Sequence, residues 1–386
     1  MVYVGDESLC RTFCFPASGP CPVTHVWSPQ QDQALKAVSR WLRDGHPQVF
    51  RLFGFAGTGK TTLAKHIADS ADGEVVFGAF TGKAAMVLRQ KGCKDARTIH
   101  SMIYRPKEVD SEEPSFVLNE QSAAATASLI IIDECSMVDE ELGRDLLSFG
   151  KPVLVLGDPA QLPPVKGGGY FTEAEPDVML TEVHRQAADN AIIRLSMIVR
   201  DGGSIERGDY GDAQVIPRSA IDPTIVTKAD QVLVGMNKTR RNYNRRLREL
   251  FGFSEQTPQV GDKLVCLRND RTKGLLNGGL WKVKTLSPMR RGKLRMTVTP
   301  EDDPRHKGQR IGVIPQFFTG EEEIPYSLRK GSDEFEFGYA LTVHKAQGSQ
   351  WDEVVLFDES WAFREHRHRW LYTAVTRAAK RLTIVT

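Results

Sequence analysis

Cysteine is scarce, with 6 in 386 residues. That density is too low for a disulfide scaffold. Long apolar runs are missing too. The longest, Leu129-Ile130-Ile131-Ile132, has the length of a strand, far from the ~20 residues that cross a bilayer. No charged segment followed by an apolar one opens the chain, so neither a secretory signal nor a membrane anchor is expected. Internal repeats and low-complexity tracts are absent. Charge of one sign is also missing: 51 Lys and Arg face 49 Asp and Glu. This balance argues against a small, strongly basic binder of polyanions. What is present is ordinary for a globular chain: 40% hydrophobic and 26% charged residues exclude disorder over most of the length. The length suggests two or three domains at about 150 residues each.

The balanced charge hides a division. Between Met236 and Arg310 there are 19 Lys and Arg against 7 Asp and Glu, whereas the remainder has 32 against 42. Six of these cations, Lys238, Arg240, Arg241, Arg245, Arg246 and Arg248, fall on one expected helix, Lys238–Leu250. Arg268, Arg271, Lys273, Lys282, Lys284, Arg290, Arg291, Lys293 and Arg295 follow. Such asymmetry points to a surface facing a polyanion, or to a solvated basic face.

Residues 1–25 read as an irregular tail broken by Pro16, Gly19, Pro20 and Pro22. From there to Leu180, short apolar runs alternate with helical stretches: Val49–Phe53, Val75–Phe80, Leu129–Ile132 and Val153–Leu156. Runs of this kind mark parallel strands buried on both faces. A small insertion is expected at about 104–127. A second α/β unit spans 181–386, interrupted at about 255–334 by β-like runs (Leu264–Leu267, Trp281–Leu286 and Leu294–Val298) and by the turns Asn277-Gly278-Gly279 and Arg291-Gly292. The α/β pattern resumes at Phe335 and ends with Arg381–Thr386.

Gly54-Phe55-Ala56-Gly57-Thr58-Gly59-Lys60-Thr61 follows an apolar run and precedes a helical one, Thr61–Ala68. This is the context of a P-loop. Its glycines let backbone N–H groups close around phosphate oxygens at a helix N-terminus. Gly57, Thr58, Gly59, Lys60, Thr61 and Thr62 are therefore the expected nucleotide-binding run, with Lys60 on the β- and γ-phosphates. Asp133 and Glu134 end the Leu129–Ile132 run. Thr61 and Asp133 are the expected Mg²⁺ ligands, and Glu134 the group that activates water.

From here the sequence resembles superfamily 1B DNA helicases of the RecD/Dda-like type, with motifs in order from Ser28 to Thr386. Ser28-Pro29-Gln30-Gln31 resembles the Q motif, which implies that Gln31 reads the adenine. Thr81-Gly82-Lys83-Ala84-Ala85 and Thr98-Ile99-His100-Ser101 resemble motifs Ia and Ib, implying DNA contacts at Thr81, Lys83, Thr98 and His100. Asp133-Glu134-Cys135-Ser136 is similar to motif II. Gly157-Asp158-Pro159-Ala160-Gln161-Leu162-Pro163-Pro164 is similar to motif III, with Gln161 as γ-phosphate sensor. Val183-His184-Arg185-Gln186 resembles motif IV, with Arg185 on the γ-phosphate. Thr342-Val343-His344-Lys345-Ala346-Gln347-Gly348-Ser349 resembles motif V, implying DNA contacts at Thr342 and His344 and a nucleotide-side role for Gln347 and Gly348. Tyr372-Thr373-Ala374-Val375-Thr376-Arg377 resembles motif VI, with Arg377 as arginine finger.

The resemblance implies an α/β fold: two RecA-like P-loop motor domains, 1A over 26–180 and 2A over 181–386. The first carries a small β-hairpin insertion (1B) and the second an SH3-like β-barrel insertion (2B). Leu275–Val283 is the segment most like 2B. It further implies an ATP- and Mg²⁺-dependent helicase or translocase moving 5′→3′ on single-stranded DNA in replication, recombination or repair. Single strands and duplex junctions are the expected partners, with replication or recombination proteins besides. A monomeric motor in the cytoplasm of a bacterium or phage-infected host is expected, without an appended nuclease domain. Two other readings stay open: a DNA-stimulated ATPase that translocates without unwinding, because the hairpin bearing Phe116 is short, and a nucleotide-gated DNA-binding subunit of a larger complex. Cys10, Cys14, Cys21 and His25 offer four zinc ligands, but their spacing is irregular beside common zinc motifs; a loosely docked tail is the preferred expectation. Cys93, Cys135 and Cys266 read as structural.

Overall fold

The computed structural model describes residues 27–106, 116–163, 169–182, 190–270, 272–301, 307–320 and 323–386. The tail with its candidate zinc ligands, Arg185 and Arg271 lie outside the described residues.

The α/β expectation holds. A six-stranded parallel sheet forms from β1 (Val49–Gly54), β2 (Val75–Ala79), β3 (Arg97–Thr98), β6 (Leu129–Asp133), β7 (Val153–Gly157) and β8 (Val178–Leu180), in the order β3-β2-β6-β7-β1-β8. Alternate side chains of a strand point to opposite faces, and both faces here are covered. Ile131, Leu52 and Leu154 join one core with the helices Pro29–Asp44 and Lys60–Ser70; Ile130, Ile132 and Val153 join another. The side chains of Leu129–Ile132 are fully buried, which at about 1.5–3 kcal/mol each outweighs any local propensity. This burial carries the acidic pair to the strand's end.

Between β3 and β6 lies a two-stranded hairpin, β4 (Tyr104–Pro106) with β5 (Phe116–Leu118). A second six-stranded sheet forms from β9 (Gly208–Asp209), β10 (Ala213–Ile216), β11 (Gln231–Val234), β17 (Ala340–Thr342), β18 (Trp351–Phe357) and β19 (Ala378–Val385). Its order is β17-β11-β18-β19-β10-β9, parallel except at β9. Between β11 and β17 an antiparallel sheet of five strands is inserted: β12 (Lys263–Cys266), β13 (Leu280–Arg290), β14 (Lys293–Pro300), β15 (Gln309–Val313) and β16 (Phe335–Phe337), in the order β15-β14-β13-β12-β16.

One expectation needs correcting. The α/β pattern does not resume at Phe335, because Phe335–Phe337 pairs with β12 and Phe335 is fully buried in the inserted sheet's own core. An apolar three-residue run does not say which sheet it joins. Cys93, Cys135 and Cys266 are free and buried. Burial pushes the Cys266 thiol up to about 12, which suits inert packing residues.

Candidate nucleotide site and nucleic-acid edge

Ligands of open parallel sheets bind outside the carboxyl ends of the strands, and the expected site residues gather there. Gly57 (φ 80°) and Gly59 (φ 82°) take the left-handed conformation that lets the loop after β1 curl into the helix Lys60–Ser70. Gly54 also needs to be glycine, since a Cβ would sit 2.7 Å from Thr58 Oγ1 and 2.8 Å from Leu180 Cβ. Lys60 Nζ donates to the carbonyls of Gly54 (2.6 Å) and Phe55 (3.0 Å). Thr61 Oγ1 lies 3.2 Å from Asp133 Oδ2, joining loop and acidic strand end. A hydroxyl beside a carboxylate is a hard-oxygen pair of the kind that holds Mg²⁺ together with substrate phosphates. Thr62, by contrast, is exposed.

Burial, and then repulsion from Glu134, push the Asp133 carboxyl up, while Lys60 pulls it down. Lys60 offsets only part of this rise. Glu134 adopts φ 52° and ψ 47°, a conformation rare outside glycine, whose cost the surroundings must hold in place. Gln31 serves two ends. Its Oε1 accepts from Ser28 N (3.0 Å) in a capping box, and its Nε2 donates to Thr58 O (3.1 Å) in the P-loop.

The two halves meet over this site. The Tyr372 hydroxyl donates to Asp158 Oδ2 (2.6 Å) and accepts from the Ala56 N–H (3.0 Å). Leu162 N donates to Thr373 Oγ1 (2.9 Å), and Gln347 Nε2 donates to Leu162 O (2.9 Å). The Arg200 guanidinium stacks 4.0 Å over the Phe55 ring. Tyr372, Thr373, Asp158 and Arg200 were not among the expected site residues. Three of them stand inside the quoted motif segments, but spacing alone does not say which motif residues cross the seam.

Two further expected residues are buried. Gln161 is buried and its Oε1 has no hydrogen-bond partner among the described residues. Arg377 is 6% exposed, and its guanidinium donates to Thr373 O (3.0 Å), Ser349 O (3.1 Å) and Thr376 Oγ1 (3.1 Å). In this structure it is turned into its own half rather than toward the P-loop.

The expected DNA residues lie at one edge of each sheet. Thr81 follows β2 and caps the helix Gly82–Gln90, its Oγ1 accepting from Ala84 N (3.1 Å). Lys83 is half-buried in the first turn of that helix. Thr98 ends β3 and caps Ile99–Ile103, which carries the exposed His100 near the rings of Phe80 and Tyr104. Thr342 ends β17, accepting at Oγ1 from Lys345 N (3.3 Å). His344 follows, its ring 5.5 Å from Phe363, and burial holds its pKa below the usual histidine value. A Cβ on Gly348 (φ 73°) would meet Ala84 Cβ at 2.9 Å and Thr81 Oγ1 at 3.1 Å. Gly348 thus joins the two edges rather than lying against the P-loop.

The basic helix Asn237–Leu250 needs a partial correction as a polyanion surface. Arg240 pairs with Glu336 (2.6 Å), and Arg248 forms a bidentate pair with the fully buried Asp262 (2.9 and 2.8 Å). Both guanidiniums are buried and occupied. Residue counting cannot separate cations that bind outward from those that bind the fold itself.

An AAA domain family matches residues 26–217, and a UvrD-like helicase C-terminal domain family matches residues 337–385. The ATP-dependent RecD2 DNA helicase of Deinococcus radiodurans is 31% identical over 369 residues, covering 87% of this chain and 46% of that protein. The ATP-dependent DNA helicase dda of Enterobacteria phage T4 is 35% identical over 264 residues, covering 61% of this chain and 60% of that one. By these matches the chain is similar to superfamily 1B helicases of the RecD/Dda-like type. Against solved structures, Bacteroides Pif1 bound to single-stranded DNA superposes with a TM-score of 0.59 at 19% identity, covering 94% and 92% of the two chains. Pif1 of Candida albicans gives 0.56 at 18%, covering 94% and 95%. At that identity the likeness concerns the fold: two parallel sheets of the kind found in RecA-like helicase motor domains. The chain spans only about half the length of the curated relatives it matches.

Proposed function

We propose that this chain is an ATP- and Mg²⁺-dependent superfamily 1B motor that moves 5′→3′ on single-stranded DNA and separates duplex at junctions. The observation that carries this is the pairing of Thr61 with Asp133 at a P-loop whose backbone is held from the other half of the molecule. A nucleotide there sits where opening and closing of the halves is felt. The polarity rests on likeness to the RecD/Dda-like type alone.

Each residue then has a task. Gln31 holds the adenine edge while fixing Thr58. The loop amides of Gly57 to Thr62 surround the phosphates, and Lys60 offsets charge developing on the γ-phosphate. Bound Mg²⁺, held by Thr61 and Asp133, would neutralise phosphate charge. Glu134 orients and deprotonates the attacking water. The unsatisfied Oε1 of Gln161 supports a sensor role, because a buried acceptor without a partner is costly unless something visits it. Arg185 and Arg377 supply positive charge from the second half; Arg377 must leave its present carbonyls to do so. Gln347 and Gly348 pass the change to the DNA edge, where Thr81, Lys83, Thr98, His100, Thr342 and His344 hold the strand. A neutral His344 suits a grip that has to let go.

In domain terms, residues 26–180 form motor domain 1A and 181–386 form 2A. The hairpin within 104–127 stands as 1B and the five-stranded sheet in the region 255–334 as an SH3-like 2B. Such a monomeric motor works where ATP and DNA meet, in the cytoplasm of a bacterium or its phage-infected cell. Among the described residues no helix is long and apolar enough to cross a membrane.

The test is ATP hydrolysis with and without single-stranded DNA, followed by strand displacement on a 5′-tailed duplex. DNA stimulation is expected, and its absence defeats the motor reading. A second reading, translocation without strand separation, is favoured by the three-residue strands of the β4–β5 hairpin, with Phe116 exposed. Stimulated hydrolysis without displacement would select it.

A further inference from the structure

We propose that Tyr372 is a positioning residue through which the second half of the molecule sets the aim of Lys60. The proposal rests on the reading of the P-loop as the ATP site and deepens it.

Tyr372 lies on the helix Arg367–Val375 of the second half and is 1% exposed. Its hydroxyl reaches into the first half and meets two groups from different strand ends: the Ala56 N–H after β1 and Asp158 Oδ2 after β7. The decisive point is which peptide unit it holds. The Ala56 N–H and the Phe55 carbonyl belong to one planar unit. Fixing the N–H therefore fixes the opposite direction of the C=O. That carbonyl accepts from Lys60 Nζ at 3.0 Å and from Thr58 Oγ1 at 2.9 Å. The second half thus orients one peptide plane, and that plane orients the ammonium expected on the γ-phosphate.

The other partner extends the tie. Asp158 is itself fixed, its Oδ1 accepting from Ala160 N (3.0 Å) and its carbonyl from Gln161 N (3.1 Å). One hydroxyl therefore joins the lysine's peptide to the loop that carries Gln161. When the halves part, both lose their common reference. A phenylalanine at 372 would fill the same space, yet leave the Ala56 N–H and a buried carboxylate oxygen without this partner.

Tyr372→Phe separates a positioning role from packing. Loss of one hydrogen bond should speed hydrogen exchange of the Ala56 amide about tenfold in nucleotide-free protein. DNA-stimulated kcat should fall about 10- to 100-fold through misplacement of Lys60. KM for ATP should shift much less than kcat, and the melting temperature should change little. In the wild-type protein the Ala56 amide should exchange more slowly than that of the neighbouring, exposed Gly57. This arm needs neither a variant nor ATPase activity. Equal exchange of the two amides, unchanged Ala56 exchange in the variant, or a wild-type kcat in the variant would each overturn the proposal. A wild-type protein without DNA-stimulated ATPase would instead defeat the motor reading, with the exchange arms still judging the tie.

Discussion

The two six-stranded sheets share one order over five strands but not one chemistry. In the first, β1 lies between β7 and the edge strand β8; in the second, β10 lies between β19 and the edge strand β9. The chain leaving β1 passes through a glycine loop into an eleven-residue helix with open amides. The chain leaving β10 meets Pro217, a 3-10 turn at Arg218–Ala220 and a six-residue helix capped by Asp222. The next strand, β11, leads to a long helix, Asn237–Leu250, through a turn whose amides are taken. Glu359 Oε2 accepts from Gly235 N (2.7 Å) and Met236 N (3.0 Å), and Oε1 from Thr239 Oγ1 (2.6 Å). A carboxylate of the chain itself thus occupies the turn that leads into this helix. On the proposed reading, one repeat of the architecture takes the nucleotide, while the other supplies groups across the seam.

The strongest way to break this comparison is Lys60→Ala. A cation acting on a transferring phosphoryl group is worth about 10³ to 10⁵ in rate, so DNA-stimulated ATPase should disappear at this scale. Binding of single-stranded DNA without nucleotide should stay near wild type. Residual hydrolysis above about one tenth of wild type would mean that the second half also handles phosphate.

Asp262→Ala tests how the inserted sheet is bound to the second half. Asp262 is fully buried and takes the Arg248 fork, the Tyr339 hydroxyl (2.9 Å) and Gln259 N (2.7 Å). Removing it leaves a buried guanidinium unpaired, at about 3–5 kcal/mol in denaturant unfolding. A loss below about 1 kcal/mol would show that the pair is no joint.

Glu359→Gln keeps the shape but removes the charge over the second sheet's helix start. About 1–2 kcal/mol of stability should go, since charge-assisted bonds to backbone amides are stronger than neutral ones. No change in thermal unfolding would mean that the charge adds nothing to this turn.

The first sheet was readable because β6 and β7 are continuous apolar runs, and β1 is one but for Arg51, each ending in chemistry: Gly54 at the end of β1, Asp133 at β6, Asp158 after β7. Burial and function point the same way there. The second sheet is harder. β10, Ala213–Ile216, alternates weakly, and β16 looks like a motor strand until its partner is known. Within the site, Lys60 and Thr61 were legible from the local spacing of the glycine loop, and Asp133 from the apolar run it ends, although 72 residues separate it from Thr61. Tyr372 was not, since its contacts with Ala56 and Asp158 span 316 and 214 residues. Nor was the fate of Arg240 and Arg248, because a buried acceptor such as Asp262 cannot be told from a surface one by composition.

The mildest test concerns the cations that remain once the buried ones are set aside. The outer surface of the inserted sheet holds a concavity of about 790 Å³ lined by Lys273, Arg290, Arg291, Lys293, Arg295 and Arg310. Lys273 is held by Asp333 at 2.6 Å, and Lys293 donates to Gly331 O. Arg290, Arg291 and Arg295 have no ion-pair partner among the described residues, and all three are exposed. If they meet the phosphates of the strand, each contact adds about 0.7 to the slope of log affinity against log salt. The triple variant Arg290→Glu, Arg291→Glu, Arg295→Glu should then flatten that slope by about 2, while ATPase at saturating DNA stays close to wild type. An unchanged slope would take the inserted sheet off the DNA path. The grip would then rest with the edge residues Thr81, Thr98 and Thr342, and the basic surplus would be a solvated face.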